Sequence, residues 1–393
     1  MKNKEVDQSF PVPGSLYRLP FSKNDNPNGW LEITDHCNME CPGCYRGCHR
    51  DDYQPTHQSF TDIKNTIDKL VEIRNCSVIS ISGGEPLLHP DIEKIISFIQ
   101  KRGLKSVLLT NGRLLTPKLI TNLKKVGLTG IVIRVDTLRE PGNKTEQQLN
   151  ELREKYAQMV YREGLFFGLT CVLDKTNLTQ APDIVHWAQE NAARVSMLLF
   201  ILKRQVIFDK RDTTTNGMIA VKDAVQSLLQ SLPGLKFNSY LGSQAEDYQP
   251  KWLISSWISF NGSVLGYLDK KFIEFSSCFY HLKTGKYHTI ISGKDSRFSF
   301  FKLSILALFN AGIRNILGQF IKRLVSHPDL LLKKANYQTL LLVNPPQFVD
   351  GKRDFCDACP DAVLFKGRLV PSCILEEFKR FGGPVSQDAL ERS

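Results

Sequence analysis

The chain has no long apolar run. Its most hydrophobic stretch, near Leu303 to Ile313, is broken by Asn310 and is too short to span a bilayer. The opening residues, Met1-Lys2-Asn3-Lys4-Glu5-Val6-Asp7-Gln8, lack the apolar core of a signal peptide. No internal repeat and no low-complexity linker interrupts the sequence. Acidic residues are in the minority: 40 Asp and Glu face 51 Lys and Arg, a formal charge of +11. These absences predict a cytoplasmic protein in a reducing, oxygen-poor setting. What remains is ordinary for a globular chain, at 42% hydrophobic and 23% charged. Its 393 residues exceed one small domain and fit one large domain plus an extension. Basic residues concentrate between Lys283 and Lys334, where only Asp295 and Asp329 are acidic. Such a field favours a phosphate, an acidic lipid headgroup or an acidic electron carrier. A merely solvated basic surface is the plainer alternative.

Ten cysteines in an unsecreted chain point to metal or redox work before disulfides. Three of them, Cys37, Cys41 and Cys44, lie in Cys37-Asn38-Met39-Glu40-Cys41-Pro42-Gly43-Cys44, spaced x3 then x2, directly after the strand-like Trp30-Leu31-Glu32-Ile33-Thr34. Thiolates this close in sequence converge on one soft metal centre only if the loop curls round it. A structural zinc site needs four protein ligands, and Cys48 is close but off-pattern. A cubane iron–sulfur cluster on three cysteines would leave one iron open for a small-molecule chelate.

Hydrophobic periodicity predicts strands at Leu31–Thr34, Val78–Ser82, Ser106–Leu109, Ile131–Val135, Leu165–Leu173 and Val195–Ile201. Helices are predicted between them, at Thr61–Ile73, Asp91–Lys101, Pro117–Lys125, Glu146–Arg162 and Pro182–Asn191. Apolar strands separated by ten-residue helices imply a parallel sheet with crossovers and chemistry at the strands' C-terminal ends. The division predicted is an N-terminal arm over 1–29, a core over 30–210, an insertion over 211–345 and a second cysteine region over 346–393. Within the insertion, Asn261-Gly262 between Trp257 and Leu265 reads as a hairpin turn, and Phe298–Leu324 as helical, apolar and basic by turns.

The cysteine loop resembles that of the radical S-adenosylmethionine (SAM) enzymes. So does Ser82-Gly83-Gly84-Glu85-Pro86, one β/α unit later. Paired glycines let backbone approach a ligand, and a carboxylate beyond them can accept hydrogen bonds from an ammonium group. The resemblance implies a partial (β/α)6 TIM-type barrel. It implies a 4Fe–4S cluster on Cys37, Cys41 and Cys44, with SAM chelating the open iron and Gly83, Gly84 and Glu85 at its amino group. Thr110 and Asn111 at the third strand's tip, and Asp136 at the fourth's, face the expected SAM ribose; capping or turn roles are the alternative for Asn111 and Asp136. The position before the third cysteine, commonly aromatic in the family, is Gly43, and Tyr45 is the expected partial substitute at the adenine. Arg204 is a weaker candidate for the SAM carboxylate.

Near the C-terminus, Cys356 and Cys359 are spaced x2, and Cys373 follows thirteen residues later across a plausible Lys366-Gly367 turn. This is metal-site grammar, with zinc an alternative. It resembles the twitch and SPASM auxiliary-cluster extensions of radical SAM enzymes, in particular those of GTP 3′,8-cyclases. The fold class implied is therefore a partial barrel with a C-terminal auxiliary-cluster extension carrying a second 4Fe–4S cluster. Cys278 is the candidate fourth ligand; its alternative reading is a small buried apolar residue.

The expected reaction is reductive cleavage of SAM to a 5′-deoxyadenosyl radical that abstracts hydrogen from a peptide, lipid or small-molecule substrate. A cyclase-like cofactor-biosynthesis enzyme and a non-catalytic Fe–S/SAM sensor are the alternatives. The cyclase reading is weakened by the missing C-terminal Gly-Gly, since the chain ends Leu390-Glu391-Arg392-Ser393. The expected partners are a flavodoxin- or ferredoxin-type donor and peripheral contact with an anionic membrane, with no specific nucleic acid.

Overall fold

A computed structural model describes residues 10–11, 13–48, 54–140, 142, 144–204, 206, 217–244, 250–288, 297–298, 300–326 and 334–386. Part of the expected basic stretch before Lys334 lies outside the described residues.

The arm contributes a short strand, β1 (Tyr17–Arg18), and the core begins with β2 (Asn28–Glu32). Helices and strands then alternate: α1 (Phe60–Arg74), β3 (Val78–Ser82), α2 (Ile92–Lys101), β4 (Lys105–Thr110), α3 (Pro117–Lys125) and β5 (Gly130–Arg134). The series continues with α4 (Asn150–Arg162), β6 (Phe166–Leu173), α5 (Ala181–Glu190), β7 (Met197–Leu202) and α6 (Val221–Ser231). Strands β2 to β7 pair parallel, each with its neighbour in sequence. This is the arrangement of a partial (β/α)6 barrel.

The helices form where apolar side chains recur at helical spacing. In α1, Ser59 caps the start by accepting from Asp62 N at 3.1 Å, and Ile63, Ile67 and Leu70 are buried on one face. Asn75, at φ 50°, ends it in the left-handed conformation. In α2, Ile92, Ile95, Ile96 and Ile99 are buried against the same sheet. Each such side chain contributes about 1.5–3 kcal/mol by leaving water. The helix predicted from Glu146 starts at Asn150 instead. Glu146 is diverted into a buried ion pair with Arg153 and accepts hydrogen bonds from Thr137 and Asn177.

The rest of the chain extends this sheet at both edges. Strand β8 (Ser239–Leu241) precedes a long hairpin, β9 (Trp252–Phe260) and β10 (Ser263–Tyr267). Its turn is the expected Asn261-Gly262 pair, with φ 49° and 75°, the mirror-image geometry that suits strand twist. After α7 (Lys270–Thr284) and β11 (Arg297–Phe298), the expected helical stretch is two helices, α8 (Phe300–Phe309) and α9 (Ala311–Ser326). Asn310 splits them because its Oδ1 accepts from Ile313 N at 2.9 Å and caps α9. Strand β12 (Ala335–Val343) then joins β7 in parallel and β9 in antiparallel register. The order on that side is β1-β8-β9-β12-β7, so the N-terminal arm reaches the far edge of the sheet.

A small separate hairpin, β13 (Gln347–Val349) with β14 (Lys352–Asp354), leads to the second cysteine region. There β15 (Ala362–Phe365) and β16 (Arg368–Pro371) pair across Lys366-Gly367, at φ 46° and 75°. Strand β15 also pairs with β2, at Val363 and Trp30, which places the region on the barrel's opening edge. The last helix is α10 (Leu375–Phe381).

Candidate active site

Beyond the end of β2, the chain runs beside the Gly-Gly-Glu segment that follows β3. Gly84 N donates to Thr34 O at 2.8 Å and Glu85 N to His36 O at 2.7 Å. The two motifs are therefore joined through backbone immediately before Cys37. A Cβ on Gly83 would run into Thr34 O and one on Gly84 into His36 O, and Gly83 has φ 146°. Close approach is why both positions are glycine.

The Glu85 side chain turns to the tip of β4 and is fully buried. Its Oε1 accepts from Thr110 Oγ1 at 2.7 Å and from Leu87 N at 3.1 Å, and its Oε2 accepts from Asn111 N at 2.7 Å. Burial raises its pKa, against the pull of these donors. Asn111 Nδ2 reaches the cysteine loop, donating to Asn38 Oδ1 at 2.6 Å. Glu85, Thr110 and Asn111 thus form one chain of hydrogen bonds ending on the loop.

Asp136 is brought close but is engaged otherwise than expected. It is fully buried, pairs with Arg134 Nε at 2.7 Å and accepts from Val172 N at 2.9 Å. Burial opposes the Arg134 charge, and Asp136 outweighs it. Arg134 also lies within electrostatic reach of Cys41 and Cys44. Gly43 has φ 67°, a conformation an aromatic residue resists, which accounts for its departure from the family pattern. Tyr45 lies by Glu32 and Asp361 rather than among the cleft-lining residues; burial raises its pKa.

The cleft beside the loop, about 340 Å³, is lined by Asn38, Met39, Cys41, Pro42, Arg113 and Arg139, among others. That volume is the lower end for a small-molecule site. Sequence reading missed both arginines, because surface arginines on loops carry no distinguishing pattern. Arg139 donates to Met39 Sδ at 3.3 Å, and Arg113 pairs with Glu140 at 3.0 Å.

Sequence reading left Cys48 without a partner. It is buried, and its thiol hydrogen-bonds Cys44. That contact, with backbone donors and Arg46 adding to it, draws the Cys44 pKa down to about 5 although burial opposes it. Burial pushes Cys37 up to about 11. A metal centre here would have to displace that proton. Among the described residues no three His, Cys, Asp or Glu side chains are arranged to hold a single metal ion. A cubane places each thiolate on a different iron, so its ligands stand further apart than those of one zinc. The three thiols, with the glycine cradle beside them, suit a cluster that keeps one side open.

Directly after the loop, buried Arg46 meets Glu32 of β2 at 3.1 Å and Glu376 of α10 at 3.2 Å. Burial opposes its charge and the two carboxylates more than restore it. The loop is thereby tied to the second cysteine region. In that region Cys356 hydrogen-bonds Cys359, and both lie within electrostatic reach of Cys373. The Cys359 pKa is raised by that hydrogen bond and by burial. Cys373 is pushed up to about 12 by burial, with Arg204 partly offsetting it. Arg74 Nη2 donates to Cys359 O at 2.9 Å, and Arg204 donates to Cys373 O. Arg204 therefore braces this region.

Cys278 is exposed on α7, with its thiol 4.0 Å from Tyr17 Oη. The neighbours of α7 reach the second cysteine set: Arg18 pairs with Asp357, and Asn26 Nδ2 donates to Ala358 O at 3.4 Å. Strand β1, on which α7 packs, pairs with β8, and Ser243 beyond β8 bridges to Cys356. Cys76 and Cys171 are buried in the core, as expected.

Residues 31–169 match the family model described as Radical SAM superfamily. It is 28% identical over 174 residues to Fe-coproporphyrin III synthase of Methanosarcina barkeri, covering 44% of this chain and 43% of that protein. It is 27% identical over 214 residues to the tungsten-containing aldehyde ferredoxin oxidoreductase cofactor-modifying protein of Pyrococcus furiosus, covering 51% and 58%. The chain spans about half the length of these curated relatives. A crystal structure of Streptococcus suis SuiB bound to S-adenosylmethionine overlaps 48% of this chain and 43% of that one, at 17% identity and a TM-score of 0.38.

Proposed function

We propose that the protein is a radical SAM enzyme that cleaves SAM reductively and uses the product to abstract hydrogen from a peptide, lipid or small-molecule substrate. The observation carrying this reading is the backbone junction of Gly84 and Glu85 with Thr34 and His36, which sets a glycine cradle against Cys37. Cys37, Cys41 and Cys44 would hold the 4Fe–4S cluster. When bound, that cluster supplies one electron to the sulfonium of SAM, releasing methionine and a 5′-deoxyadenosyl radical. The chain's own groups do the placing. Gly83 and Gly84 expose backbone to the SAM amino group, while buried Glu85 locks the tips of β3 and β4 beside it. Arg113 and Arg139 offer cationic donors at the cleft for a carboxylate. Asn111 braces the loop through Asn38.

The second cysteine set, Cys356, Cys359 and Cys373, is assigned to an auxiliary 4Fe–4S cluster. Cys278 is the candidate fourth ligand: with it the cluster would be closed, and without it one iron would stay open to substrate or to another donor. The basic surface suits an acidic flavodoxin- or ferredoxin-type donor. No helix among the described residues is long and apolar enough to cross a membrane.

Anaerobic reconstitution should load about eight irons and eight sulfides per chain, two cubanes. Reduced protein with SAM should then form 5′-deoxyadenosine. Replacing Cys37, Cys41 and Cys44 together with Ala should remove about four of each and abolish that product. Zinc in place of iron, with no labile sulfide, would end this reading. A loaded, reduced protein that binds SAM but never cleaves it would favour the sensor.

A further inference from the structure

We propose that the outward face of α7 and α8 docks on an anionic lipid surface. The inward sides of α7, α8 and α9 are satisfied: Phe272, Leu303, Ala307, Ile313, Ile316 and Phe320 form a second core with Ile258 and Leu265 of the hairpin. The opposite side still carries large apolar groups. Phe275, Phe279 and Leu282 follow at i, i+4 and i+7 on α7 and are 47%, 58% and 84% exposed. Leu308 and Phe309 at the end of α8 are 74% and 68% exposed. These groups are contiguous. The Phe275 ring stacks on Phe279 at 5.9 Å and on Phe309 at 6.2 Å between centroids, across the two helices.

A monomer in water seldom leaves so continuous an apolar patch uncovered. Charge identifies what covers it. Residues 270–326 contain ten Lys or Arg and two acids, a net +8 of the chain's +11. Lys271 and Lys283 are exposed on α7 within one turn of Phe275 and Phe279, and Arg314 and Lys322 are exposed on α9. Glu274 is the one acidic side chain on α7, and Asp269 before it is occupied by Phe272 N and Asn310. Apolar tips flanked by lysines are the composition of a helix pair lying in a headgroup layer, its rings in the acyl boundary and its ammonium groups on phosphates. Neither helix is long enough to cross, so the contact is peripheral.

Co-sedimentation of the full chain with phosphatidylcholine vesicles, with and without phosphatidylglycerol, tests this without needing loaded clusters or a substrate. Binding is expected to the phosphatidylglycerol vesicles, and to weaken as salt is added. A Phe279→Ser/Leu282→Ser double variant should bind roughly tenfold or more weakly, since two insertable side chains are lost. A Lys271→Glu/Lys283→Glu variant should lose a similar factor on anionic vesicles only. All four positions are exposed, so far-ultraviolet circular dichroism should match the parent. No binding to anionic vesicles, or binding by both variants as tight as the parent's, overturns the proposal. Light scattering that shows a dimer abolished by Phe279→Ser/Leu282→Ser, with vesicles left unbound, gives the face to a second copy instead.

Discussion

Gly84 and Glu85 carry the closest contact between the two motifs, and single atoms decide their roles. A methyl group at Gly84 has no room beside His36 O. Gly84→Ala should displace the loop before Cys37, cutting iron loading and SAM cleavage while the barrel keeps its circular dichroism. Full loading in that variant would show that the loop yields. Glu85 was expected to meet the SAM ammonium directly. Its oxygens are instead taken by Thr110, Asn111 N and Leu87 N. Glu85→Gln places an amide donor against one of these donors. Thermal unfolding should show a loss of about 1–3 kcal/mol, together with SAM affinity weakened by roughly tenfold as the cradle loosens. Weakened SAM binding at unchanged stability would restore the direct contact.

At the scale of elements, β2 is the strand on which both cysteine regions depend. Its end leads into the first loop, and its edge pairs with β15 of the second. Arg46 closes the connection, between Glu32 on β2 and Glu376 on α10. Removing the cation leaves buried Glu32 without its charge partner, while Glu376 keeps Lys379 at 2.9 Å. Arg46→Met should therefore cost about 3–5 kcal/mol in denaturant unfolding. It should also lower iron loading at the first site, two residues from Cys44. A neutral result would mean that water or rearrangement replaces the pair.

Across the whole molecule, one continuous sheet receives additions at both edges: the insertion beyond β7 and the second cysteine region beyond β2. Cys278 lies on the first addition and Cys356 on the second, and the Arg18–Asp357 pair and the Ser243–Cys356 bridge draw the two together. Cys278→Ala should accordingly open an iron site and shift the auxiliary-cluster spectrum, in a background lacking Cys37, Cys41 and Cys44. An unchanged electron paramagnetic resonance spectrum would remove Cys278 from the ligand set.

Local chemistry made much of this legible beforehand. The period of apolar residues placed β2 to β7 and their helices to within a few residues, because strands such as β3 are buried along their length and helices such as α2 bury one apolar face. Asn261-Gly262 and Lys366-Gly367 marked their hairpins because few residue types accept positive φ. The spacing of Cys37, Cys41 and Cys44 marked the loop that the fold sets beside Gly83 and Gly84. Other features depended on residues far apart in the chain. Cys278 and Cys356 stand far apart in sequence, and only the pairing of β1 with β8 draws their neighbours together. Arg204 and Asp136 carried charges free to be assigned to a ligand, until buried partners claimed them. Arg46 and Glu376 are separated by most of the chain, and only the closing of β15 on β2 makes them neighbours. Sequence determines which segments become strands, helices and turns, since those choices rest on nearby atoms. Which charges are spent on one another, and which thiols meet, depends on the path of the chain through space.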